Sequence, residues 1–193
     1  MSARALVAAA ALAMASAVSA ADPKAGESKA AVCFACHGAG GNSTNPVVPS
    51  IAGQPAQFIS TSLYTFREGN RKDPQMSPIA ANLSNTEMND LAAYFSTLKP
   101  VASTHRASAD NAQAGPGLAE KFKCTQCHGR RMLGQQHIPR LAGQQFEYLR
   151  AQLRGFKAGT RIDLDAKMSE SAQGLSDKDI EILVDYVAGL GVQ

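Results

Sequence analysis

All four cysteines and two of the four histidines fall into two frames of the same shape, Cys33-Phe34-Ala35-Cys36-His37 and Cys124-Thr125-Gln126-Cys127-His128. Two thiols three positions apart can form thioethers to the two vinyl groups of one porphyrin. The histidine that follows then lies under the iron as its proximal ligand. Two other uses of such a frame exist, a pair of zinc half-sites or two small disulfides, but each leaves the histidine without a role. The frames imply two haems, held covalently through Cys33, Cys36, Cys124 and Cys127, with His37 and His128 on the irons.

The sixth ligand separates a carrier of electrons from an enzyme, because an open iron can bind peroxide or oxygen. Met76 lies 39 residues after His37 and Met168 lies 40 after His128. Both are followed by serine, and both read as loop residues just ahead of the last helix of their half. A thioether at each position would close the distal face and favour ferrous iron, although a methionine can also simply fill a gap in a core. The competitors are poorer. Met88 shares a core slot with Ile180, Met132 stands four residues past His128 with no counterpart in the first half, His105 falls in a connecting stretch, and His137 corresponds to Val47. Pro49 and Pro139 follow the two histidines by 12 and 11 residues, where a carbonyl could take the other ring proton and fix the imidazole. Arg71 and Arg161 precede the methionines at equivalent places and suit haem propionates, or a solvated surface.

The elements that must position these groups come in duplicate. Gly26 and Cys33 match Gly117 and Cys124 at an offset of 91, and Pro49-Ser50-Ile51-Ala52-Gly53-Gln54 matches Pro139-Arg140-Leu141-Ala142-Gly143-Gln144 at 90. Leu83-Ser84, Leu91, Tyr94 and Leu98 match Leu175-Ser176, Leu183, Tyr186 and Leu190 at 92. Two copies are too few for a solenoid. Each half reads as helical. Ser84 to Glu87 and Ser176 to Asp179 are helix starts of the Ser-x-x-acid kind, followed by apolar residues at three- and four-residue steps. Each half has about 80 residues and no tryptophan, a thin supply of core that a buried haem would supplement.

The ends and the charge set the compartment and the class of partner. Met1 to Arg4 followed by an alanine-rich apolar run and Val18-Ser19-Ala20 reads as a signal peptide over residues 1–20, with an uncleaved anchor as the alternative. The expected division is then a first domain at 21–99, a linker at 100–115 and a second domain at 116–193. Residues 22–105 carry six Lys/Arg and six Asp/Glu, and residues 106–193 carry twelve against ten. That asymmetry can orient an encounter with an acidic partner, and it is too small to point to nucleic acid.

The Ala-Val-Cys-x-x-Cys-His-Gly opening, the Pro-x-Ile/Leu-Ala-Gly-Gln stretch, the methionine segment and the Leu-Ser-x-x-Glu/Asp helix together resemble the dihaem cytochromes of the c4 family. The resemblance implies an all-α fold of two tandem class I cytochrome c domains related by a pseudo-twofold axis. It implies axial pairs His37 with Met76 and His128 with Met168, and thioethers at Cys33, Cys36, Cys124 and Cys127. The function implied is a periplasmic electron carrier, not an enzyme, running from a quinol-oxidising, bc1-type donor to a terminal oxidase, with no more than peripheral membrane contact. Similar chains also serve as the cytochrome subunit of flavocytochrome c sulfide dehydrogenases, beside a flavoprotein. Two stretches depart from the pattern, Asn45-Pro46-Val47-Val48-Pro49 in the first half and Arg130-Arg131-Met132 after the second haem motif.

Overall fold

The computed structural model describes residues 20–192, so the signal-peptide reading falls, but for Ala20, outside the described residues. Among those residues the chain is helical with no strand, and one isolated bridge pairs Gln135 with Ile138. The first unit holds α1 (Pro23–Lys29), α2 (Ala31–His37), α3 (Ala56–Arg67), α4 (Met76–Ala81) and α5 (Asn85–Thr97). The second repeats the order as α6 (Ala109–Lys121), α7 (Cys124–His128), α8 (Phe146–Ala158), α9 (Lys167–Gln173) and α10 (Asp177–Ala188). None of these described helices is long and apolar enough to cross a membrane.

The expected caps form. Ser84 and Glu87 make a reciprocal capping box at α5, and Ser176 with Asp179 does the same at α10, so orphan amides at both helix starts are satisfied. Lys29 reaches Glu87 at 2.7 Å and ties α1 to α5; this bond first, and those from Ser84 after it, hold the Glu87 carboxyl at a pKa of about 2. Behind the caps, Leu91, Ala92 and Phe95 pack with Ala30 and Ile59 in the first unit. Ile180, Leu183, Val184 and Val187 pack with Leu149 and Phe156 in the second.

Three expectations need correction. Helix α6 begins at Ala109, inside the stretch read as linker, because Ser108 caps it by accepting from the Asn111 amide. The connection is therefore over by Ser108. The match of Gly26 with Gly117 does not hold for the glycine at which the first and last helices of a unit cross. A Cβ on Gly26 would lie 2.1 Å from the Asp90 carbonyl oxygen, and its partner by function is Gly115, where a Cβ would lie 2.2 Å from Tyr186. Gly117 has nothing within 4 Å. Two extra residues lie between the crossing glycine and the haem motif in the second unit, and the chain absorbs them by breaking at Lys123, which takes a left-handed conformation (φ 59°). Met132, finally, does have a counterpart. The Leu141 and Ala142 amides donate to the Met132 carbonyl as those of Ile51 and Ala52 donate to Gly41. In the first unit a Cβ on Gly41 would press on Phe95 at 3.2 Å; in the second, Val187 replaces Phe95 and the Met132 side chain fills the room, 1% exposed.

The units join by contacts that repeat under a twofold exchange. The Gln54 side chain bonds the Arg140 backbone at N and O, both 2.9 Å, while Gln144 bonds the Ser50 backbone at 2.8 Å twice. The Phe58 amide donates to the Gln136 carbonyl, and its equivalent Tyr148 donates to Pro46, each at 3.1 Å. Position i meeting j while j meets i is the signature of an isologous interface, here within one chain.

The linker is pinned at its far end by Asp185, which accepts from the Ser108 amide and hydroxyl and from Asn111, and pairs with His105 at 2.6 Å. His105 also stacks on Phe146, 4.7 Å between centroids. Burial raises the Asp185 pKa, but the bonds from Asn111, Ser108 and His105 outweigh it and hold the carboxyl below its ordinary value. A depressed folded value means stability that is present above the unfolded pKa of about 3.9 and is lost as pH falls through the folded one. Asp185→Ala should cost about 1–3 kcal/mol at pH 7. The gap between variant and parent urea midpoints should shrink below about pH 4, and a gap that stayed constant with pH would rule out the ionised Asp185 carboxylate as its source.

Candidate haem sites

Each proximal site is built on one short helix. In α2 and in α7 the two cysteines and the histidine occupy positions i, i+3 and i+4, hence one helical face. Glycines with positive φ, Gly38 (78°) and Gly129 (77°), end both helices directly after the histidine. The chain then returns past it. His37 Nδ1 lies 2.8 Å from the Pro49 carbonyl oxygen and His128 Nδ1 lies 2.9 Å from that of Pro139. A carbonyl only accepts, so Nδ1 carries the proton and Nε2 keeps its lone pair for a metal. Burial pushes both histidine pKa values down, against the opposing pull of the carbonyl bonds, and so favours the neutral, ligating form.

None of the four cysteines is in a disulfide; Cys33 and Cys124 are half-buried, Cys36 and Cys127 exposed. Burial, the largest effect, raises the pKa of Cys33 and Cys124. Among the described residues there is no cluster of three or more His, Cys, Asp or Glu that could hold a metal ion. Cys124 and Met168 both pack against the core cluster of the second unit.

Met76 and Met168 are not loop residues. Met76 opens α4 and Met168 is the second residue of α9. Each backbone amide is held at 2.8 Å by an aspartate that sequence reasoning passed over, Asp73 for Met76 and Asp163 for Met168. The two aspartates stand 90 apart in a chain whose neighbouring motifs repeat at 90, which was the available signal. Asp163 also accepts from the Ser169 amide and hydroxyl; these bonds and that from Met168 outweigh burial and keep its carboxyl ionised. The other methionines of the described residues are core residues, Met88 at 3% and Met132 at 1% exposure. His137 is exposed, 3.8 Å from Asp165.

Arg71 and Arg161 are not solvated surface residues. They lie over the Phe66 and Phe156 rings at 4.4 and 4.3 Å and meet at the Gln152 side-chain oxygen, at 2.9 and 2.5 Å. Arg71 also donates to the Tyr148 hydroxyl. Burial drives the Arg161 pKa down to about 10. Burial would raise the Tyr148 pKa, but the two guanidiniums beside it bring it down. Two cations drawn together at a domain boundary suit the carboxylates of a porphyrin edge.

Family models match both units: the one described as Cytochrome c covers residues 24–99, and the one described as Cytochrome C oxidase, cbb3-type, subunit III, covers residues 110–187. Cytochrome c4 of Pseudomonas aeruginosa is 37% identical over 180 residues, spanning 88% of this chain and 89% of the relative. The chain belongs to the cytochrome c4 family. The crystal structure of reduced recombinant cytochrome c4 from Pseudomonas stutzeri superimposes with a TM-score of 0.82 at 34% identity, covering 89% of this chain and all of that one. A protein named thiosulfate dehydrogenase electron acceptor, from Stutzerimonas stutzeri, is 33% identical over 176 residues, 84% of this chain and 80% of its own. Like cytochrome c4, the chain is an electron-carrying cytochrome with two covalently bound haems c, and it is not an enzyme.

The residues present fit that cofactor: cysteine pairs outside any disulfide, imidazoles oriented by carbonyls, and a methionine whose amide is held by an aspartate. Asp163→Ala should loosen the Met168 segment by about 1 kcal/mol, and with Met168 as the proposed sixth ligand that is a roughly fivefold larger fraction of iron without its thioether. The check is the rate of imidazole binding to the ferric protein, which would stay at the parent value if Asp163 had no such role.

Proposed function

We propose that this chain is a periplasmic carrier in which each domain holds one haem, through Cys33, Cys36, His37 and Met76 in residues 21–99, and through Cys124, Cys127, His128 and Met168 in the domain that starts at α6. The haems so held would supply one-electron ferrous/ferric chemistry, with no atom exchanged. The observation that carries the reading is the paired arrangement of an imidazole held by a proline carbonyl and a methionine whose amide is held by an aspartate, present in both domains. Two closed irons favour outer-sphere transfer over binding of substrate. The isologous interface holds the domains as one body, which suits passage of an electron between them. The apolar leader read in the sequence and the covalent haems support the periplasm.

A quinol-oxidising complex is the proposed donor and a terminal oxidase the proposed acceptor. Exposed Arg130 and Arg131, three and four residues past Cys127, give the second haem edge a positive rim that suits an acidic partner. A second reading has support in the thiosulfate-linked relative: the donor would be a thiosulfate-oxidising enzyme. The test is an optical redox titration of the holoprotein expressed with its leader, with and without carbon monoxide. It is followed by stopped-flow reduction with a bc1-type complex plus quinol, or with a thiosulfate dehydrogenase plus thiosulfate. Two low-spin haems inert to carbon monoxide and fast reduction by the first system support the proposal. Fast reduction by the second alone moves the protein to thiosulfate oxidation, and copurification with a flavin-bearing chain would point to a sulfide dehydrogenase instead. A haem that binds carbon monoxide readily overturns the closed-iron assignment.

A further inference from the structure

At one asymmetric position of the interface, Ser50 of the first domain corresponds to Arg140 of the second. Arg140 is 2% exposed. Its guanidinium donates from Nη1 to the Ala142 carbonyl at 2.6 Å and from Nη2 across the interface to the Ala52 carbonyl at 3.0 Å. Its Nε–H has no acceptor, the one buried side-chain polar atom of the described residues in that condition. No carboxylate of the described residues pairs with it, and burial pulls its pKa down to about 10. An unpaired cation removed from water costs several kcal/mol, and native chains do not leave such a charge without an anion. Two neutral carbonyls are not that anion.

We propose that Arg140 is the buried counter-ion of a propionate on the second domain's haem, and that the Ser50/Arg140 difference is a buried source of electrostatic inequality between the two haem sites. This inference deepens the two-haem reading and rests on it. Arg140 directly follows Pro139, whose carbonyl orients His128, so the charge belongs to the His128 site along the chain. The guanidinium fork matches a carboxylate, and Nε–H with one Nη–H is the edge that its carbonyl bonds leave free. A positive charge there offsets the propionate and so disfavours the ferric state of that haem; a serine at the equivalent place offers the other haem no such charge.

The experiment is a potentiometric titration, resolved for the two haems, of holoprotein carrying Arg140→Gln or Arg140→Lys. Arg140→Gln should lower the midpoint of the His128 haem by about 59 mV, a tenfold fall in its reduced-to-oxidised ratio at a fixed ambient potential, and move the His37 haem much less. Arg140→Lys keeps the charge and should restore most of the shift. Equal potentials in all three proteins, with both haems attached and inert to carbon monoxide, would sink this inference and leave the carrier reading intact. So would equal shifts in the two variants, which is the behaviour of a mere clamp between domains. Should Arg140→Gln fail to fold, the parent protein labelled with 15N-arginine decides, with Arg140→Lys used for assignment. The Arg140 Nε–H should resist solvent exchange and shift when the haem is oxidised; fast exchange with no redox shift would overturn the proposal. Reactivity of the parent with carbon monoxide would instead bring down the carrier reading.

Discussion

Met168→Ala should convert one of the two haems from closed to open. The ferrous variant is expected to bind one carbon monoxide per chain where the parent binds none. The methionine-to-ferric charge-transfer absorbance should fall by about half, and the midpoint of the His128 haem should drop, because a thioether stabilises ferrous iron and alanine offers no donor. Asp163 still has Ser169 to hold in the variant, so α9 keeps its start and the change is one of ligation rather than of fold. Met76→Ala should do the same to the His37 haem. Met88→Ala supplies the contrast. That side chain is 3% exposed in the α5 core, so its removal should cost roughly 2–5 kcal/mol of stability and leave both irons unreactive. If Met168→Ala bound no carbon monoxide and kept its charge-transfer band, the sixth ligand would lie elsewhere and the distal assignment would be wrong.

What the sequence disclosed and what it hid differ by the range of the interaction. The haem frames, the capping boxes at Ser84 and Ser176, and the apolar faces of α5 and α10 are all written within a few residues, and all are found where the spacing put them. The reach from His37 to Pro49 was legible too, because the duplication shows it twice. The short helices α4 and α9 were not. Six and seven residues hold too few turns for a periodic signal, and what starts them is an aspartate three or five residues upstream of the methionine. The interface was visible only as a repeated glutamine, since Gln54 and Gln144 satisfy backbone groups 86 and 94 residues away and leave no local pattern. The exchange of Gly41 and Phe95 for Met132 and Val187 shows why a position-by-position match of the halves misleads: volume is conserved across the pair while neither residue is.

The glycine correction carries the other large expectation. Gly115→Ala should damage the protein severely. The added Cβ would lie 2.2 Å from the Tyr186 ring carbon and 2.3 Å from its Cβ, an atom fixed to the α10 backbone, so α6 and α10 must move apart along their length. Overpacking of a yielding core costs about 1–3 kcal/mol, and a contact against an atom that cannot turn aside belongs at or above the top of that range. Gly26→Ala should be as harmful, because the obstacle there is the Asp90 carbonyl, whose orientation α5 fixes. Gly117→Ala should do the reverse. The position is exposed, sits inside α6 and has nothing within 4 Å, so alanine there is expected to stabilise by about 0.4–1 kcal/mol through the unfolded chain alone. Urea midpoints of the three holoproteins, together with the yield of haem-loaded protein, decide the matter. Gly117→Ala as the damaging substitution, with Gly115→Ala harmless, would return the crossing glycine to the offset of 91 that the haem motifs show and remove the two-residue insertion that the break at Lys123 accommodates.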